Sequence, residues 1–259
     1  MSDSTHVTSA DGVLTIAVST PANGTAMDPA AVDEAAVALA DLRDGARDEK
    51  AILLVGTGKN LCAGGNVASF AAADDRGAFL ADLADRMHAM MGLLLDSGRP
   101  VVVAAKGWAA GAGMSFTLLG DVVIGGPSTK MRPAYRGIGL SPDGAMTWTL
   151  PRAVGAARAR HIILTDQVIG AEEALGIGLL SEIVDDELVD GRAREVAVGL
   201  AAGPAAALQA TTALLRAGAT SSLTDQFTAE SASIARLASG PEGVEGVNAF
   251  VEKRTPTWP

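Results

Sequence analysis

Ala51 to Val55 is a wholly apolar run closed by Lys50 on one side and Gly56 on the other, and Val101 to Ala105 repeats the pattern between Pro100 and Lys106. A run this short, with no polar residue at alternate positions, fits a strand covered on both faces. Val13 to Val18, Val122 to Ile124 and Leu180 to Val184 read as further strands. Between them apolar residues recur at helical spacing. Val32, Ala36, Leu39 and Leu42 follow the cap pair Asp28-Pro29, and Leu80, Leu83, Met87, Met90 and Leu94 run up to the stop at Ser97-Gly98 and Pro100. Ala156 to Leu164 and Ala171 to Leu175 also read as helices. Strands alternating with helices predict an α/β layered fold with its sites in the loops at the sheet ends. From Asp185 onward every segment reads as helix. The chain then divides into a core of residues 1–195 and a helical C-terminal region, 196–259, that covers the core or builds a subunit interface.

At 259 residues and 48% hydrophobic, the chain can bury the core an enzyme needs. A formal charge of −10 argues against nucleic acid or an anionic membrane as partner, because both need clustered Lys and Arg. Cys62 is the only cysteine, which excludes an intrachain disulfide or a multi-cysteine metal site and fits a reducing cytoplasm. The polar stretch Met1 to Ser9 does not read as a signal peptide, and the small-residue stretch between Lys106 and Asp121 is too short and glycine-rich for a membrane span. A soluble cytoplasmic protein is expected.

Two stretches of small residues follow strands. Gly107 to Ser115 reads as a close-packed turn leading from strand to helix, and Leu61-Cys62-Ala63-Gly64-Gly65-Asn66 has the same local chemistry. Such turns either hold an oxygen on unpaired helix-start N–H groups or only let a helix pack tightly on a strand. Gly56-Thr57-Gly58-Lys59-Asn60 lacks the spacing of a phosphate-binding loop. No His-Glu metal pattern, nucleophile elbow or dinucleotide fingerprint is present. His6 in the N-terminal tail and the helical His88 and His161 read as structural, and Met87, Met90 and Met91 as core filler. The segment Arg132 to Gly144 has little periodicity and several polar groups among small residues, so it can line a site. Within it Asp143 is either a catalytic acid or base or the cap of the following helix. Tyr135, the only tyrosine, and Trp148 can shape a pocket or serve as packing, and Tyr135 can donate a hydrogen bond.

Cys62 to Asn66, Gly107 to Asp121, Ile138-Gly139-Leu140-Ser141-Pro142-Asp143 and Ala171 to Leu179, in this order, resemble the enoyl-CoA hydratase/isomerase (crotonase) superfamily. Phe250-Val251-Glu252-Lys253-Arg254 looks like the family's ending, so the resemblance spans essentially the whole chain. It implies a core of repeated ββα units, a C-terminal trimerisation region, a homotrimer or a hexamer built as a dimer of trimers, and an acyl-CoA thioester as ligand. No separate cofactor is implied, coenzyme A being part of the substrate. Carried over by position, the oxyanion-hole N–H groups fall on Gly65 and Ala112. Ala63, Gly64, Asn66, Ser115, Tyr135 and Trp148 fall to the substrate site, and Lys253 to the CoA phosphates. The hydratase pattern has glutamates where this chain has Ser115 and Tyr135, and neither hydroxyl is a base near neutral pH. Family members with aspartate in the Pro142-Asp143-Gly144 context resemble isomerases, which implies a double-bond shift with Asp143 as proton shuttle. The alternatives are hydration through another base, thioester hydrolysis, dehalogenation with Asp143 as nucleophile, and acyl-CoA binding without turnover.

Overall fold

The structure is a computed structural model that describes residues 6–259, the side chain of Asn23 excepted; the expectation for Met1 to Ser9 falls partly outside these residues. Strands β1 (Val7–Ala10) and β2 (Val13–Ser19) form an antiparallel pair. Helix α1 (Pro29–Arg43) follows, capped by the Asp28 side chain on Ala30 N–H, and leads to β3 (Ala51–Gly56). Short α2 (Val67–Ala72) and long α3 (Arg76–Asp96) come next, then β4 (Val101–Ala105), β5 (Trp108–Ala110) and α4 (Ala112–Thr117). The chain continues through β6 (Val122–Gly125), β7 (Lys130–Arg132), α5 (Met146–Val154) and α6 (Ala156–Thr165). It closes with β8 (Ile169–Gly170), α7 (Ala171–Gly176), β9 (Glu182–Ile183) and the helices α8 (Val189–Ala201), α9 (Ala205–Gly218), α10 (Leu223–Ala238) and α11 (Pro241–Glu252).

The strands form a six-stranded sheet, β1-β2-β3-β4-β6-β9, and a three-stranded sheet, β5-β7-β8. Consecutive strands alternate between them: β4 and β6 join the large sheet, while β5 and β7, directly after them, join the small one and lead into helices. The buried runs separate by parity as a pleated strand requires. Ile52, Leu54, Val101 and Val103 face the main core with α1 and α3, whereas Ala51, Leu53, Val102 and Ala104 face a second core. That second core is closed by α8, whose Val189, Ala193, Ala197 and Ala201 recur every four residues as a narrow stripe against the sheet. The division expected at 195/196 falls inside this helix.

Two local expectations are corrected. Trp108–Ala110 is a strand paired with β7, so the turn shrinks to Gly111, and the helix starts at Ala112 rather than near Phe116. His6 is buried rather than in a tail, with Nδ1 3.1 Å from Glu34 and Nε2 3.3 Å from Asp28. Among the described residues no single helix is long and apolar enough to cross a membrane.

Candidate active site

The turns after β3 and β5 are joined by main chain. Cys62 N–H donates to the Trp108 carbonyl at 3.1 Å, and Ala110 N–H donates to the Cys62 carbonyl at 2.9 Å. A Cβ on Gly113 would stand 2.1 Å from the Cys62 carbonyl oxygen, so α4 comes this close only as glycine. Gly113→Ala is therefore expected to destabilise the protein by about 1–3 kcal/mol through overpacking. Thermal unfolding reads this directly, and an unchanged midpoint would contradict the close approach. Burial pushes the Cys62 thiol up to about 12, which keeps it an uncharged packing group.

Hydrogen bonding around the turns satisfies some N–H groups and leaves others, among them those of Gly65 and Ala112, without a partner among the described residues. Ala63 N–H donates to the Thr25 carbonyl, Met27 N–H to the Gly64 carbonyl, Gly111 N–H to the Arg132 carbonyl and Ser115 N–H to the Gly111 carbonyl. Neither Gly65 N–H nor Ala112 N–H has a hydrogen-bond partner among the described residues. Both residues line one cavity of about 310 Å³, together with Ala63 and Gly64.

The cavity has an apolar wall and a polar end. Val67 and Phe70 of α2 and Leu80, Leu83 and Met87 of α3 form the wall, with Ile138 and Leu140 from the segment after β7. Among the described residues Tyr135 and Asp143 are the titratable groups in the lining, and Asp143 is its one carboxylate. The Asp143 side chain does not cap α5: the N-cap position is Ala145, with no side-chain cap bond. Instead Asp143 Oδ1 accepts from the Tyr135 hydroxyl at 2.5 Å. Burial, reinforced by the Asp143 charge, drives the Tyr135 phenol far above its ordinary value, so it stays protonated and donates. The next residue, Gly144, has φ +60°, and a Cβ there would lie 2.6 Å from Ser115 Cβ. Its N–H donates to His88 Nε2 at 3.0 Å.

The other residues singled out in the sequence are placed as follows. Ser115 is fully buried behind the cavity on α4 and donates its hydroxyl to the Asp143 carbonyl at 3.2 Å. Asn66 is the N-cap of α2, its side-chain oxygen accepting from Ala68 and Ser69 N–H, beside the lining rather than in it. Trp148 is 50% exposed on α5, outside the lining, with the Arg152 guanidinium 3.7 Å from its ring centroid. Lys253 is exposed at the C-cap of α11 and does not reach the cavity of its own chain.

Residues 8–259 match the model of the enoyl-CoA hydratase/isomerase family. The chain belongs to that family. It is 36% identical over 247 residues, covering 95% of this chain and 94% of the other, to a Rhodobacter capsulatus protein named "Probable enoyl-CoA hydratase". It is 33% identical over 257 residues, covering 95% of each chain, to the 1,2-epoxyphenylacetyl-CoA isomerase of Escherichia coli K12. A crystal structure of an enoyl-CoA hydratase/isomerase family protein from Mycobacterium abscessus superposes with TM-score 0.91 at 32% identity, over 98% of this chain and 99% of that one. The α/β architecture is thus the crotonase fold, and acyl-CoA thioesters are the ligands on which the family acts. Relatives carry both hydratase and isomerase names, so the reaction of this family member turns on its own side chains. Sequence reasoning missed Phe70, whose ring packs on Gly65, and the contact of His88 with Gly144. A lone aromatic and a helix-surface histidine carry no motif.

Proposed function

We propose that the protein is an enoyl-CoA isomerase that shifts a double bond in an acyl-CoA, with Gly65 and Ala112 N–H as oxyanion hole and Asp143 as proton shuttle. The single observation behind this is that the unpaired N–H groups of Gly65 and Ala112 share a cavity with one carboxylate and, among the described residues, no second one in its lining. The thioester oxygen accepts from both N–H groups, which makes the α-carbon of a 3-enoyl-CoA acidic. Asp143 takes the α-proton, the electron pair moves into the carbonyl as a dienolate, and the same carboxyl returns the proton to the γ-carbon. Atoms and charge balance without water or an outside oxidant. In deuterated water a 3-enoyl-CoA should become the 2-enoyl isomer, with deuterium entering at the α- and γ-positions as the carboxyl proton of Asp143 trades with solvent. A product heavier by water, release of free CoA, or saturable binding with no conversion would overturn isomerisation in favour of hydration, thioester hydrolysis or a binding role.

Self-association as a trimer or hexamer is assigned to the C-terminal helices. No residue of α10 is buried, and Leu223, Phe227 and Ile234 on it, with Val247 and Phe250 on α11, present large apolar side chains to solvent. Phe250 is 85% exposed, a surface that a lone soluble chain rarely leaves open. Light scattering should give the mass of three or six chains, and Phe227→Asp with Phe250→Asp should lower it. A monomer mass for the unaltered protein would overturn the assignment.

A further inference from the structure

Both positions at which the hydratase pattern has glutamate carry hydroxyls, and both hydroxyls are spent on Asp143. Tyr135 donates to Oδ1 of its carboxylate at 2.5 Å, and Ser115 donates to its main-chain carbonyl at 3.2 Å. Oδ2 has no hydrogen-bond partner among the described residues, and Asp143 lines the cavity. One carboxylate oxygen is thus held while the other is left for a ligand. Ser115 lies on α4, the helix whose first N–H is that of Ala112, so its hydroxyl ties the Asp143 backbone to the element carrying that donor.

We propose that Tyr135 and Ser115 are positioning residues that hold the Asp143 carboxylate with Oδ2 towards the acyl chain at a fixed distance from the Ala112 N–H. This rests on Asp143 as proton shuttle. Tyr135 sets which carboxylate oxygen is held and which is free. Ser115 sets where the backbone of Asp143 sits relative to α4. The protonated phenol makes Tyr135 a donor and not a base. The neighbouring titratable group is His88 on α3, bonded to Gly144 N–H and common to the proteins compared below.

The test reads the carboxyl itself as well as turnover. In protein carrying carboxyl-13C aspartate, with the Asp143 resonance assigned by its loss in Asp143→Asn, the titration midpoint is measured for the unaltered protein and for Tyr135→Phe. The midpoint should move in Tyr135→Phe, which removes the hydrogen bond to Oδ1. The acidic limb of kcat/KM for proton exchange should move the same way, with kcat about ten- to a hundredfold lower and KM within about twofold. Ser115→Ala should lower kcat in the same direction with KM unchanged. Tyr135 is the only tyrosine, so 3-fluorotyrosine incorporated throughout the chain replaces it alone and keeps its shape. This stronger donor should move the midpoint even if Tyr135→Phe does not fold. Equal midpoints in the unaltered and fluorotyrosine proteins would overturn the proposal. An unaltered protein that does not convert a 3-enoyl-CoA to the 2-enoyl isomer while its midpoint still responds would overturn the isomerase reaction and leave the positioning intact.

Discussion

Asp143→Asn is expected to slow acyl-chain proton exchange by about 10²- to 10⁴-fold, the range that a positioned general base supplies. Asparagine keeps the shape and an oxygen that accepts from Tyr135, so acyl-CoA binding should stay within a few-fold and the fold should be retained. What disappears is the group that can hold a proton between two carbons. The loss should be large because, among the described residues, no other carboxylate lines the cavity and the phenol of Tyr135 is held protonated. Deuterium uptake followed by mass spectrometry measures the rate. Exchange within about tenfold of the unaltered protein would assign the proton to another group.

Ala112→Pro removes one main-chain donor and puts the ring Cδ where its hydrogen pointed. Ala112 is the first residue of α4, a position where proline is well accommodated because its missing N–H has no partner inside the helix. The preceding residue, Gly111, sits at φ 52° and ψ −121°, outside the helical region that proline disfavours in its predecessor. Loss of one oxyanion donor commonly lowers kcat by about 10²- to 10³-fold. Ala112→Ser, which keeps the N–H, should retain far more activity. Equal rates for the proline and serine variants, with both folded by circular dichroism, would remove Ala112 from the chemistry.

The buried strands are legible in the sequence because a strand covered on both faces has only apolar residues to offer, and β4 runs over the same residues as the expected strand. β5, β7 and β8 are not legible. Two or three residues carry less than a full turn of any pattern, and Trp108–Ala110 becomes a strand because Lys130–Arg132 lies beside it. His6 is placed by Asp28 and Glu34, partners far along the chain that nothing near residue 6 announces. At the site, the resemblance points to Gly65, Ala112 and Asp143, and the structure brings them to one cavity. The sequence leaves open whether Asp143 caps α5. That is decided by the left-handed pair Gly144 and Ala145, which carries the chain into the helix without using the carboxylate. Trp148 illustrates the converse: its position after Asp143 suggests a pocket wall, but the helix turns it outward under Arg152.

The junction between the two small-residue turns is closed by amide and carbonyl groups, which every residue type but proline carries. Apart from proline, point substitution therefore has little purchase on the two N–H groups at Gly65 and Ala112, beyond the few sites where a Cβ does not fit. Ser115, Tyr135 and Asp143 are side chains hung on that frame and can be exchanged singly. On the proposed reading, a lineage built this way can redirect the fate of an activated thioester by drifting at a handful of codons, while the part that activates it is inherited unchanged.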